Sequence, residues 1–73
     1  MPDFAFNVLE SFGTISEADN GWKKELTIVS WNEREPKYDI RSWSPNKERM
    51  GRGITLSKSE LIKLKTLLNH LPI

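Results

Sequence analysis

The chain has 73 residues, with eleven Lys and Arg against ten Asp and Glu for a formal net charge of +1, and no cysteine. A domain this small buries only about 60% of its unfolded surface, so one core is marginal; without a disulfide or thiolate-metal staple, the common remedy is a partner chain. Near-neutral bulk charge gives no signature of nucleic-acid binding, which only local clustering of charge could supply.

In chain order, Phe4, Phe6 and Val8 alternate with Ala5 and Asn7, the period-two pattern of a first strand. Leu9, Phe12 and Ile15 fall out of that phase, so a bulge or bend is expected near Leu9 and Glu10. Asp19-Asn20-Gly21 is the sharpest turn signal, because an Asn-Gly pair tolerates positive φ and suits a tight hairpin. A second strand is predicted over 22–31, with Leu26 and Ile28 on one face and Val29 and Trp31 on the other. Neither of its sides is therefore simply solvated.

Residues 32–36 read as a charged turn, and Pro36 cannot donate to a ladder, so a third strand begins after it. Over 38–43, Tyr38, Ile40 and Ser42 form a face suited to burial. Asp39, Arg41 and Trp43 are expected on the solvent side. Residues 44–51 read as a polar, mobile loop, followed by a short fourth strand with Ile54 and Leu56 inward. Ser57 and Glu60 then form a capping box, and Leu61, Leu64, Leu68 and Leu71 repeat at helical spacing until Pro72. Ile62 and Leu67 widen that apolar arc, which suggests that the helix covers its own sheet and also meets something else.

The predicted architecture is α+β: a four-stranded curved antiparallel sheet and then one C-terminal helix (ββββα), homodimeric, forming a single domain over 1–73. Leu61, Leu64 and Leu68 are the expected seam. No charged-then-apolar leader and no apolar run near ~20 residues occurs, so the chain reads as cytoplasmic, with no membrane partner.

Catalytic chemistry finds no support in the pattern. His70 is the sole histidine and sits in the last helical turn, where a cation suits the dipole rather than a metal. The carboxylates are scattered, no nucleophile is paired with a base, and Gly51-Arg52-Gly53 lacks the context of a dinucleotide fingerprint. Neither a cofactor nor a small-molecule substrate is expected.

Basic and aromatic residues interleave instead. Trp22, Lys23 and Lys24 open strand two, and Trp31 closes it. Lys37, Arg41 and Trp43 share one face of strand three, while Lys47, Arg49 and Arg52 surround the following loop. Single-stranded nucleic acid needs this mixture, because cations track phosphates and rings stack on bases at about 1–3 kcal/mol each. Each residue also has a plainer reading. Trp22 and Trp31 could be core or interface, Lys23 and Lys24 a solvated strand end, Arg41 a cross-strand ion pair to Glu25 or Glu33, and Trp43 a packing plug.

From Tyr38 onward, YDIRSWSPNKERMGRGITLSKSELIKLKTLL resembles the core of the positive cofactor 4 family of transcriptional coactivators. The carriers are Asp39-Ile40-Arg41, the aromatic Trp43, the polar loop, the Gly-basic-Gly-Ile-hydroxyl-Leu strand and the apolar helix. The match covers about the last half of the chain. It implies a homodimer that binds single-stranded or unwound DNA along curved sheets, largely without sequence preference. It places Arg41, Trp43 and Arg52 on the DNA path, with Trp31 beside them and Lys23 and Lys24 near the basic entry. The loop before strand four is shorter than in eukaryotic members and no serine-rich regulatory tail precedes the domain, which favours a compact, stand-alone, nucleoid-associated bacterial form.

The expected function is sequence-tolerant single-stranded DNA binding in transcription, replication or repair. An RNA chaperone using the same groove is the nearest alternative, since stacking and phosphate contacts do not read the 2′-OH. A protein-interaction module anchored by exposed tryptophans is the third.

Overall fold

The computed structural model describes residues 5–73, so the Phe4 part of the first-strand reading lies outside the described residues. Among them, four strands form one antiparallel sheet in the order β1-β2-β3-β4: β1 Phe6–Glu17, β2 Lys23–Trp31, β3 Lys37–Trp43 and β4 Met50–Leu56. Helix α1, Lys58–Asn69, follows. The ββββα order expected from the sequence is the order found.

β1 spends twelve residues against the nine of β2. The register breaks between Val8 and Glu10, between Ser11 and Gly13, and between Thr14 and Ser16. The three residues passed over are Leu9, Phe12 and Ile15, the same three that spoil the period-two phase in the sequence. One bulge was expected, and three occur at three-residue spacing. Each adds local twist and bends β1. They carry apolar side chains toward the helix: Phe12 packs on Tyr38 with centroids 6.2 Å apart, and Ile15 lines a cleft with Leu26, Leu61 and Leu64.

The turns follow from φ. In the first hairpin, Gly21 N–H donates to the Ala18 carbonyl, and Ala18 N–H donates to that of Trp22. Gly21 has φ 90°. This is the three-residue loop with a left-handed closing residue, one longer than the minimal Asn-Gly hairpin. The second turn is tighter: Asn32 and Glu33 have φ of 50° and 63°, and Arg34 N–H donates to Trp31. Asn32 tolerates that region, whereas Glu33 occupies it without glycine's freedom. Asn32 also exchanges two hydrogen bonds with Ala5, through its Oδ1 and its N–H, tying the start of β1 to this turn.

Pairing divides the sheet into two faces. Leu26, Ile40 and Ile54 align across three strands, as do Ile28, Tyr38 and Leu56, and α1 lies on their side. Thr27, Asp39 and Thr55 align on the other, as do Glu25, Arg41 and Gly53. The expectation of which face is sealed is overturned. Asp39 and Trp43 are 0% and 1% exposed, while Tyr38, Ile40 and Ser42 are only half-buried and Ile54 is 53% exposed. The cause is cover: Phe6 packs on Trp43 and Lys47 of the β3–β4 loop is ion-paired with Glu25 on that face, whereas the helix face has only one helix on it.

That helix begins as its sequence dictates. Ser57 Oγ accepts from Glu60 N–H, and Glu60 Oε1 accepts from Ser57 N–H. His70 forms the C-cap, one residue past the last helical turn in which it was expected. No α1 residue is fully buried. Leu61 and Leu64 are half-buried, and Leu67, Leu68 and Leu71 are about half exposed. Between helix and sheet lies an apolar cleft of about 410 Å³ lined by Ile15, Leu26, Ile40, Leu61, Leu64 and Leu68. No helix among the described residues is long and apolar enough to cross a membrane.

Candidate nucleic-acid interface

The face of β2 and β3 that carries Glu25, Thr27, Val29, Trp31, Asp39, Arg41 and Trp43 is built around two ionic knots. In the first, Arg41 Nε donates to Asp39 Oδ2 at 2.6 Å and Nη2 donates to Oδ1 at 3.0 Å, a two-pronged pair. Thr55 Oγ1 donates to the same Oδ1 at 2.9 Å, and Arg41 Nη1 donates to the Gly51 carbonyl at 3.3 Å. The guanidinium carbon sits 4.9 Å from the Trp31 ring centroid, in cation–π range. Arg41 therefore pairs with Asp39 on its own strand, not with Glu25 or Glu33.

This arrangement depends on Gly53. A Cβ there would overlap the Arg41 Cβ and the Ile40 carbonyl oxygen and lie 2.8 Å from the Arg41 Cα. Only a residue without a side chain allows β4 to approach β3 behind the guanidinium.

The second knot is Glu25, 5% exposed, which accepts from Ser11 Oγ at 2.9 Å and is ion-paired with Lys47 from the β3–β4 loop. Burial pushes the Glu25 carboxyl up. Hydrogen bonds from Lys47 and Ser11, with the charges of Lys47 and Lys23, pull it further down, so it rests below the ordinary 4.5.

Aromatic rings close the face. Phe6 packs on Trp43 with centroids 5.5 Å apart and on Trp31 at 6.0 Å. The expectation that Trp43 is exposed in the free protein fails: it is 1% exposed, with Phe6 packed on it. Its indole N–H is buried with no acceptor, as is the Thr27 hydroxyl. The loop is also more ordered than expected. Ser44 is buried, its N–H donates to the Arg49 carbonyl, and Asn46 Oδ1 accepts from Ser44 Oγ and Glu48 N–H.

The remaining basic and aromatic residues divide between the faces. Lys23 stands opposite Trp43 and Lys37 opposite Val29, both exposed on the knotted side. Lys24 stands opposite Ser42 on the helix side, where the half-buried Trp22 ring lies over Gly51. Arg49 and Arg52 are exposed at the loop and on β4. Register thus brings Trp31, Arg41, Trp43, Lys23 and Lys37 together and sets Trp22 and Lys24 apart. Sequence reasoning missed Phe6, Ser11, Glu25 and Thr55. The polar row Thr27, Asp39, Thr55 crosses three strands and emerges only from the register, so no local signal in the sequence marked it.

The described residues contain no group of three or more His, Asp or Glu able to hold a metal. The fold is a four-stranded antiparallel sheet with one C-terminal helix, and on one face of it the exposed Lys23 and Lys37 flank Arg41 and Trp31. The family model for Transcriptional Coactivator p15 (PC4) matches residues 18–67, and the chain belongs to that family. It is also 48% identical over 71 residues to an uncharacterized protein of Treponema pallidum (strain Nichols), a match covering 97% of this chain and 84% of that protein.

Proposed function

We propose that the protein is a homodimeric, sequence-tolerant single-stranded DNA-binding protein serving transcription, replication or repair. Membership of the p15 (PC4) family supports the nucleic acid. The observation that carries the site is Arg41 held flat against Trp31 by Asp39, with Lys23 and Lys37 exposed on the same face. Arg41 holds its guanidinium in a fixed orientation, the neighbouring lysines with Arg49 and Arg52 track phosphates, and Trp31 supplies an aromatic ring beside them.

A second copy of the chain on the helix face is the other half of the reading. A helix without one fully buried residue leaves Leu61, Leu64 and Leu68 half covered at best, and a two-fold partner would complete their burial.

Fluorescence titration against matched oligothymidylate, duplex DNA and RNA tests the binding. Tight binding to the single strand is expected, and with about six phosphate contacts the log-log salt slope is near −4. Affinity that barely moves between low and physiological salt overturns the charge-tracking face, and preference for the RNA oligonucleotide moves the reading to RNA.

A further inference from the structure

The bonds that Arg41 makes within the chain leave little of it for a ligand. All three guanidinium nitrogens are engaged: Nε and Nη2 donate to Asp39, and Nη1 donates to the Gly51 carbonyl at 3.3 Å and to Met50 Sδ at 3.6 Å. The side chain is 15% exposed, and that of Asp39 is 0% exposed. A phosphate could take the guanidinium fork only from Asp39, leaving a fully buried carboxylate without its cation. An unpaired buried charge costs far more than an exposed ion pair contributes.

What the guanidinium does offer is its contact with Trp31, 4.9 Å from the ring centroid. Register does not make this contact, because Arg41 stands opposite Glu25 whereas Trp31 is the last residue of β2. The β2–β3 ladder stops at Val29 and Lys37, so the backbone of Trp31 lies beyond it. From β1, Phe6 stands opposite Trp31 and packs on its ring; from β3, the Arg41 side chain reaches along the face to it. A half-buried tryptophan at the end of a strand is thus braced by a cation that Asp39 has already neutralised.

We propose that Arg41 is a positioning residue and not a phosphate contact: braced by Asp39, it sets the Trp31 ring for stacking on a single strand. Charge tracking falls to the exposed Lys23, Lys37, Arg49 and Arg52. The role rests on the nucleic-acid reading, and it separates two residues that look alike in the sequence, Arg41 acting through a ring and Arg52 through its charge.

Oligothymidylate titrations of the full chain over a range of salt, with a thermal melt of each variant, test this. Arg41→Lys keeps a cation beside Asp39 but has no planar fork to lie on Trp31. It should weaken binding about fivefold or more while leaving the log-log salt slope at the parent value. Arg52→Ala should instead make the slope shallower by about 0.7. In a Trp31→Ala background, Arg41→Lys should change affinity by less than about twofold, because its effect passes through the ring. Full affinity in Arg41→Lys overturns the proposal, and so does an undiminished loss in the Trp31→Ala background. If Arg41→Lys melts below the titration temperature, the charge-neutral pair Asp39→Asn with Arg41→Gln takes its place. Weaker binding at an unchanged slope then supports the role, whereas a slope shallower by about 0.7 marks a lost phosphate contact and overturns it. Each of these failures spares the nucleic-acid reading; absence of binding by the parent overturns that reading and the positioning role together.

Discussion

The two faces of the sheet solve burial in opposite ways. On one, charged side chains are sealed in: Asp39 is fully buried, and Glu25 nearly so. On the other, aliphatic side chains stay open, with Ile54 at 53% and Leu68 at 49% exposure. Residue hydrophobicity alone would have assigned them the other way round. The contrast teaches that partners, not polarity, decide burial here. Asp39 can be dry because Arg41 and Thr55 satisfy its oxygens, whereas Ile54 and Leu68 lack enough apolar surface within one chain to cover them.

The largest expected break in this contrast is at Trp43. A large aromatic deletion in a sealed site costs about 3–5 kcal/mol, so Trp43→Ala should melt far below the parent. A melt within a few degrees of the parent would mean the ring is not part of the core. Across the sheet, Leu68→Asp should do the reverse. At a half-exposed site it leaves the single chain folded, yet it should abolish the two-chain mass seen by sedimentation at micromolar concentration, because closure of an interface there would bury an unpaired charge. An unchanged mass would remove the helix face from the seam.

Gly53→Ala tests how closely the sealed side is fitted. Overpacking against β3 backbone should cost about 1–3 kcal/mol, read as a lower denaturation midpoint. The same change on the open face at Gly51, where an added Cβ meets ordinary contacts of 3.5 Å or more, should cost less.

Acid separates the faces further. Glu25 is depressed below 4.5 in the folded chain, so its contribution is present above pH 4.5 and is lost as pH falls through the folded-state value. Melting curves of the parent and Glu25→Gln should differ near neutrality and converge below that window. A constant gap would show that the carboxylate does not titrate as described. The smallest effect belongs to the turn: Glu33→Gly should raise stability by about 1 kcal/mol, since glycine takes φ 63° without steric cost.

The elements were legible in the residues because their signals are local. The capping box at Ser57 and Glu60, the turn at Gly21 and the phase slip at Leu9 each depend on neighbours within a few positions. The site was legible in kind but not in arrangement. Both faces of β2 carry apolar groups, so alternation could not say which was sealed. The burial of Glu25 makes sense only once Lys47, 22 positions away, is seen to reach it. Likewise, Trp22 and Lys24 looked continuous with Lys23 until the register sent them to the other face.

The three bulges of β1 bear on how the molecule behaves in a crowd. As the first strand of the sheet, β1 has one side with no strand paired to it among the described residues. A regular strand in that place presents an evenly spaced row of donors and acceptors on which another chain can build. Here the spacing is interrupted at Leu9, Phe12 and Ile15, so no straight segment longer than a few residues is offered. The same interruptions that carry Phe12 and Ile15 to the helix face thus make that margin a poor template for cross-β growth.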